Sequence, residues 1–499
     1  MSPQKTAKCV MVLGTTSGAG KSWLTTALCR WYARQGLKVA PFKAQNMSNN
    51  ARVVASGNGL GEIGSAQYFQ ALAARAQPHV QMNPLLLKPE ADTRSQVVLL
   101  GEVNIELGRT PWRERSEKVW PAIAASLDAL MANNDVVVIE GAGSPAEINL
   151  MASDIVNLRV ARHANARCWL VSDIDRGGAF AHLYGTWALL PPADQIRIHG
   201  FVLNKFRGDA SLLAPAPEQL QALTGVPTVG VLPMWREHGL PEEDGVFDGR
   251  SVASGATTHT IAVVAYPRIS NLDEFQCLKN IPGVRLQWVR SPSQVQALQP
   301  HDWVILPGSK NTSDDLVWLR QQGLDAAVAA HAAKGGAVLG ICGGLQMLGE
   351  ALIDPHGVDG NAAGLGLLPL VTQFALHKKV QHTQAQFTQL KGPWSALSGV
   401  TVSGYEIHHG ETKAHPDMQA HAGMQAQGVD ATEVMPGLAW QNPTGNVLGC
   451  YVHGLFEDPR VVQALFGHQA PTLDAVMDGL ADFLEQHIPA ETLRSLIAE

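Results

Sequence analysis

Short apolar runs alternate along this chain with stretches whose apolar positions recur at helical spacing. "CVMVLG" (9–14) predicts a strand, and "SWLTTALCRWYARQG" (22–36) predicts a helix closed by Gly36. Further strands are predicted at "KVAPFK" (38–43), "DVVVIEGAG" (135–143), "ARCWLVSD" (166–173), "IRIHGFVLNK" (196–205) and "VPTVGVLP" (226–233). Such runs, separated by helices, imply a parallel sheet covered on both faces. Near Trp235 the pattern breaks into the polar, Gly-rich "EEDGVFDGRSVASGATTH". A second α/β series then follows: "TIAVVAYP" (260–267), "VRLQWV" (284–289), "DWVILPGS" (302–309), "GAVLGICGG" (336–344) and "NVLGCYVHG" (446–454). The final stretch, "LDAVMDGLADFLEQHI", sets Leu473, Val476, Leu480 and Phe483 at helical spacing. The expected organisation is a unit over 1–235, a linker over 236–258, a second unit over 259–465 and a helical segment over 466–499.

Length and composition agree with two or three globular domains. The chain has 499 residues, 45% hydrophobic and 16% charged. A net charge of −7 argues against nucleic acid and anionic membrane surfaces as partners, so an acidic substrate needs a local basic pocket. No apolar run approaches the ~18 residues of a membrane span. The six cysteines (Cys9, Cys29, Cys168, Cys277, Cys342 and Cys450) contain no CxxC pair. That argues against a zinc site and a disulfide framework, and the N-terminus has no secretory pattern. A cytoplasmic enzyme is expected.

"GTTSGAGKS" (14–22) lies between a predicted strand and a predicted helix, the context of a phosphate-binding loop. Gly14 sits one residue too early for the usual GxxxxGK[ST] spacing. Gly14, Gly18 and Gly20 let backbone N–H groups converge on phosphate, Lys21 reaches the β/γ-phosphates of ATP, and Ser22 is the expected Mg²⁺ ligand. The extended spacing resembles dethiobiotin synthetase and its relatives, which phosphorylate carboxylates. That resemblance implies a metal-binding acidic residue at a later strand end, where Glu140 stands; a solvated glutamate is the alternative. It also implies a nucleotide-base contact at Asn204 and Lys205. Asp175 and Arg176, in "SDIDRGGAFAH" (172–182), either meet phosphate or substrate or pair with each other.

The second motif is a thiol at a turn. Gly340-Ile341-Cys342-Gly343-Gly344 has the G-x-S-x-G elbow pattern with sulfur in place of oxygen. The Gly343 N–H and a donor around Gly308 and Ser309 are the expected oxyanion contacts. His453, just beyond a later strand, is the expected base. Cys450 lies inside its strand and reads as a small buried hydrophobe. These residues resemble a class I glutamine amidotransferase, whose members carry His-x-Glu. Here Leu455 occupies the carboxylate position, while Glu457 and Asp458 lie four and five residues past the histidine. That leaves imidazole orientation to some other group, such as a backbone carbonyl; the expectation is a poorly organised Cys342–His453 pair at rest, with slow glutamine hydrolysis that rises when ATP and the carboxylate substrate bind.

Taken whole, residues 8–490 resemble the cobyric acid synthase family of cobalamin biosynthesis. The segments that carry the likeness are "PFKAQNMSNN" (41–50), "GEIGSAQ" (61–67), "MNPLLLKP" (82–89), "SDIDRGGAFAH" and "GYEIHHG" (404–410). The resemblance implies amidation of four peripheral carboxylates (b, d, e and g) of adenosylcobyrinic acid a,c-diamide, with ATP, Mg²⁺, L-glutamine and a corrinoid polycarboxylate as its small molecules. Lys43, Lys88, Arg94 and Arg176 are candidates for the cationic pocket. Gln45, Asn46, Asn49 and Asn50 either bond substrate or form a polar turn. Glu62 is a candidate second metal ligand. His408 and His409 line the seam between the two activities or lie on the surface. Two rivals share the architecture: cobyrinic acid a,c-diamide synthase, and a P-loop ATPase switch carrying an inactive amidotransferase domain.

Overall fold

The computed structural model describes residues 7–57, 59–91, 93–235, 238–241, 257–414, 431–467 and 472–498. Most of the expected linker, 236–237 and 242–256, lies outside the described residues. The first sheet contains β1 (Lys8–Gly14), β2 (Val39–Phe42), β3 (Val136–Glu140), β4 (Arg167–Asp173), β5 (Ile198–Phe206) and β6 (Thr228–Pro233). They run in the order β6-β5-β4-β1-β3-β2, and every pairing is parallel. Buried runs such as "VVVIE" in β3 leave no polar face for solvent, so helices cover both sides. The helix α1 (Lys21–Arg34) leaves the end of β1 and covers one of them.

Between β2 and β3 the chain makes an excursion that places residues at both sites. A hairpin, Ala51–Ser56 with Gly59–Gly64, runs into the helix α2 (Ser65–Ala73). A separate four-stranded sheet includes Gln45–Met47 and Leu85–Ala91.

The second large sheet contains β7 (His259–Val264), β8 (Val284–Val289), β9 (Trp303–Leu306), β10 (Ala337–Ile341), β11 (Thr432–Met435), β12 (Ala439–Gln441) and β13 (Val447–Cys450). Its order is β8-β7-β9-β10-β13-β12-β11, parallel through β13 and antiparallel at the β12 and β11 edge. Cys342 follows β10 and His453 follows β13, the adjacent strand, so parallel neighbours deliver both to the same sheet end.

Two features are absent from the sequence reading. A long antiparallel pair, Leu370–Gln386 with Thr401–Ala414, projects from the second unit and reaches the excursion hairpin. The other is the packing of the C-terminal helix α3 (Leu473–His487). It lies on α1 of the first unit, where Leu480 and Leu484 join Leu24, Leu28, Trp31 and Tyr32 in one core. Arg30 Nε donates to Asp478 at 2.8 Å, and the Tyr32 hydroxyl donates to the Leu493 carbonyl at 2.8 Å. No helix among the described residues is long and apolar enough to cross a membrane.

Because Leu480 is fully buried at this junction, Leu480→Ala is expected to cost about 2–5 kcal/mol. Urea unfolding followed by tryptophan fluorescence checks this, with a lowered midpoint for the transition of the first unit.

Candidate active sites

The phosphate loop leaves β1 and turns into α1. Gly20 has φ 100°, a left-handed conformation suited to glycine, and a Cβ there would overlap the Asn204 amide nitrogen. Asn204 Nδ2 donates to the Ala19 carbonyl at 2.9 Å, and Lys205 Nζ donates to the Gly18 carbonyl at 2.8 Å. The end of β5 therefore braces the loop from behind. Lys21 folds back over Gly14, where a Cβ would sit 3.0 Å from its ammonium, and donates to the Thr16 and Gly143 carbonyls at 3.0 and 3.2 Å. Gly14, one residue early in the motif, thus makes room for the lysine.

Glu140, at the end of β3, is buried rather than solvated. One oxygen accepts from Ser22 Oγ at 2.8 Å and from Lys43 Nζ at 2.9 Å; the other accepts from Gln70 Nε2 at 2.5 Å. Burial opposes its charge, but Lys43 and these hydrogen bonds prevail and hold the carboxyl below its ordinary range. Asp175 and Arg176 do not pair with each other. Asp175 accepts from Arg207, while Arg176 lies 3.6 Å from Asp173 and extends over Gly18, mostly exposed. Arg94 is also exposed and meets only Glu90 among the ion pairs of the described residues, at 3.2 Å.

On the excursion between β2 and β3, several buried amide atoms have no partner among the described residues: Gln45 Oε1, Asn49 Oδ1, Gln70 Oε1 and both amide atoms of Gln67. Gln67 and Gln70 are three residues apart on α2 and share a face. Buried polar atoms are normally satisfied, so the orphans on α2, where Gln70 also reaches Glu140, mark space a polar ligand would fill. Glu62 has a different setting. Its two oxygens accept from Lys88 at 2.5 Å and Lys378 at 2.7 Å, so two ammonium groups already balance its charge and repel a cation placed beside them. Burial raises its pKa, but the two ammonium groups outweigh that and bring it to about 2.

The thiol site is built from strand ends. Cys342 has φ 52° and ψ −106°, a strained conformation for a residue with a side chain and the backbone signature of a nucleophile elbow. Crowding explains its glycines. A Cβ at Gly340 would sit 2.6 Å from the Gly344 backbone, and one at Gly343 2.7 Å from the Ser309 nitrogen. Gly308 faces the base; a Cβ there would lie 3.1 Å from His453 Cε1. Cys450 is fully buried in β13, as its reading required.

The expectation of a poorly organised imidazole is wrong, and the group that orients it is a carboxylate rather than a backbone carbonyl. His453 Nδ1 meets Glu274 Oε1 at 3.0 Å, and the other Glu274 oxygen accepts the Gly454 N–H at 2.9 Å. The carboxylate absent two residues after His453 is supplied from 179 residues upstream. Both side chains are essentially inaccessible to solvent. Burial works against a charged ring, but Glu274 and then Cys342 overcome it, raising the His453 pKa to about 10. The ring is therefore protonated at neutral pH, next to the sulfur, an environment that favours thiol nucleophiles. Tyr405 stacks on the ring at 5.3 Å between centroids, and its backbone exchanges hydrogen bonds with His453 at 2.9 and 3.2 Å. Neither neighbour of the missing motif replaces Glu274: Glu457 binds Arg52, and Asp458 binds Arg460 and caps a helix. His408 is buried against Tyr451 and bonded to Glu406, not on the surface. His409 is partly buried, and burial followed by Lys378 lowers its pKa to about 4.

Residues 10–242 match the CobQ/CobB/MinD/ParA nucleotide binding domain, and residues 260–461 match the CobB/CobQ-like glutamine amidotransferase domain. A cobyric acid synthase of Variovorax paradoxus (strain S110) is 74% identical over 494 residues, spanning 99% of this chain and 100% of that protein. The chain belongs to the cobyric acid synthase family. A second family member, from Polaromonas naphthalenivorans (strain CJ2), is 72% identical with the same coverage, and one from Albidiferax ferrireducens is 71% identical over 498 residues, with 99% and 100% covered.

Glu274→Gln is expected to lower glutaminase kcat by about 10²–10⁴-fold, as loss of an orienting carboxylate does in related triads. The same variant tests the charge. A ring whose pKa rises from 6.5 to about 10 on folding adds stability that is complete below pH 6.5 and lost as pH climbs toward 10. Unfolding measured across that window should show the decline in the unaltered protein and a weaker one in Glu274→Gln.

Proposed function

We propose that this chain amidates the b, d, e and g carboxylates of adenosylcobyrinic acid a,c-diamide, using ATP and ammonia released from L-glutamine. The observation that carries the reading is the completed Cys342–His453–Glu274 arrangement in one chain with a Lys21–Ser22–Glu140 phosphate site. Relatives of this length are cobyric acid synthases, which supports the choice of substrate.

In the glutaminase half, the Cys342 sulfur attacks the glutamine amide carbon. The oxyanion is met by the Gly343 N–H and a donor from the Gly308 turn. The His453 proton passes to the departing nitrogen, and ammonia leaves behind a γ-glutamyl thioester. Water, deprotonated by His453, then releases glutamate and restores the thiol. Glu274 keeps the ring oriented and balances its charge throughout.

In the synthetase half, a substrate carboxylate oxygen attacks the γ-phosphorus of ATP and ADP leaves. Ammonia then attacks the acyl phosphate, and phosphate departs to give the amide. Lys21 supplies fixed positive charge to the transferring group. Ser22 and Glu140 fit Mg²⁺, which takes few protein oxygens and fills its remaining positions with phosphate and water. Bound there, the ion neutralises phosphate charge. Lys43 holds the second position near Glu140, and Gln45, Asn46, Gln67 and Arg176 are assigned to substrate. Glu62, already held by two ammonium groups, is assigned to the seam rather than to metal. Asn204 and Lys205 border the nucleotide, with a 690 Å³ cavity lined by Phe206, Arg207, Pro233 and Met234 taking the base. Six free thiols agree with a cytoplasmic location.

The test is mass spectrometry of the corrinoid acid after incubation with protein, ATP, Mg²⁺ and glutamine. Four carboxylate-to-amide conversions are expected, and an unchanged corrinoid would refute the reading. Cys342→Ala should lose glutamine-supported amidation but keep amidation from high ammonium. Lys21→Ala should lose about 100-fold or more from either nitrogen source.

A further inference from the structure

Arg52, which the mechanism does not use, is a fully buried guanidinium on the excursion hairpin of the synthetase half. It binds Asp273 and both oxygens of Glu457, the latter at 2.6 and 2.8 Å, all on the glutaminase half. Asp273 immediately precedes Glu274. Both belong to a 3₁₀ segment, Leu272–Asn280, in which consecutive side chains point about 120° apart. One therefore faces Arg52 while the other faces His453. Two reciprocal bonds fix the start of this segment: Ala51 N–H donates to Asn271 at 3.0 Å, and Leu272 N–H donates to Asn50 at 2.9 Å. Asn271 is held at φ 53°.

The other side of Arg52 leads to the nucleotide. Its guanidinium packs over the rings of Tyr68 and Phe69, at 5.6 and 5.0 Å, and over Tyr405 at 5.1 Å. Tyr68 and Phe69 lie on α2, and the next residue, Gln70, binds the Glu140 carboxylate. One short element thus touches the carboxylate of the phosphate site and the guanidinium that binds Asp273, the residue beside the orienting carboxylate of the thiol site.

We infer that Arg52 is a positioning residue for the glutaminase, and that α2 passes the state of the nucleotide site through it to Glu274 and His453. The inference rests on the two-site reading above and adds the physical link between the sites. Arg52 touches neither the Cys342 sulfur nor the phosphate loop among the described contacts, so its effect runs through Asp273 and Glu274.

The experiment measures glutamate release against pH, with and without ATP, Mg²⁺ and corrinoid, alongside amidation from free ammonium. Unaltered protein, Arg52→Lys, Arg52→Met and Asn271→Gly are compared; Asn271→Gly removes the neutral bond from the Ala51 N–H, suits the left-handed backbone there and keeps the buried charges paired. Arg52→Met is expected to lose at least tenfold in glutaminase kcat, with KM for glutamine changed less than threefold and a shifted pH profile. Arg52→Lys should recover part of the rate. Asn271→Gly should lose most of the response to ATP and corrinoid, with ammonium-driven amidation within twofold of the unaltered rate. A folded Asn271→Gly that keeps the full response, or that loses both activities in equal proportion, would overturn the link. Failure of the unaltered protein to hydrolyse glutamine or to amidate would instead strike the functional reading itself.

Discussion

A carboxylate with no access to water must have its charge matched by donors, or it will take up a proton. Glu274 meets that constraint with two donors that both belong to the base loop, the His453 ring and the Gly454 N–H. Losing one partner of such a pair typically costs about 3–5 kcal/mol, because the other charge stays buried alone. The ring is consequently held in one orientation and one charge state. The nucleophile elbow needs this support. The strained turn at Cys342 brings the sulfur to the base, but only an oriented, protonated imidazole gives that placement chemical consequence.

The same constraint shapes the seam. Asp273, next in the chain, is also buried, and its counter-charge comes from Arg52 on the other half of the molecule. Glu62 repeats the pattern in reverse, a synthetase carboxylate matched partly by Lys378 from the glutaminase half. Each half therefore carries buried charge that only the other half neutralises. Apolar packing alone would let the halves slide; charge pairs in a dry seam fix their register. The C-terminal helix adds a third tie by returning to α1, so the first unit contains both ends of the described chain.

Much of this was legible in the sequence, for definite reasons. The β1–loop–α1 unit and the Cys342 turn are local, so their residues are contiguous and their glycines visible. Parallel strands show as unbroken apolar runs because both faces are covered. Glu274 was not legible. Its partner is 179 residues away, and "NLDEFQC" offers four acidic or amide side chains with nothing to separate one from another. The usual place for that carboxylate, two residues after His453, is filled by Leu455. The long pair Leu370–Gln386 and Thr401–Ala414 escaped because it is half exposed and polar, without a continuous apolar run. The amphipathic pattern of α3 showed that one face is covered but not what covers it. Of the two rival readings, an inactive amidotransferase is the harder to reconcile with the site, since an idle thiol has no need of a buried, carboxylate-backed imidazole.

The central claim is that a distant carboxylate fixes His453 as a charged ring beside Cys342. Histidine-selective ¹⁵N labelling, with His453 assigned by its loss in His453→Asn, measures that charge directly as pH is varied. The account predicts imidazolium shifts at neutral pH that persist until the pH approaches about 10. A ring that is neutral at pH 7 and titrates near 6.5 would contradict it.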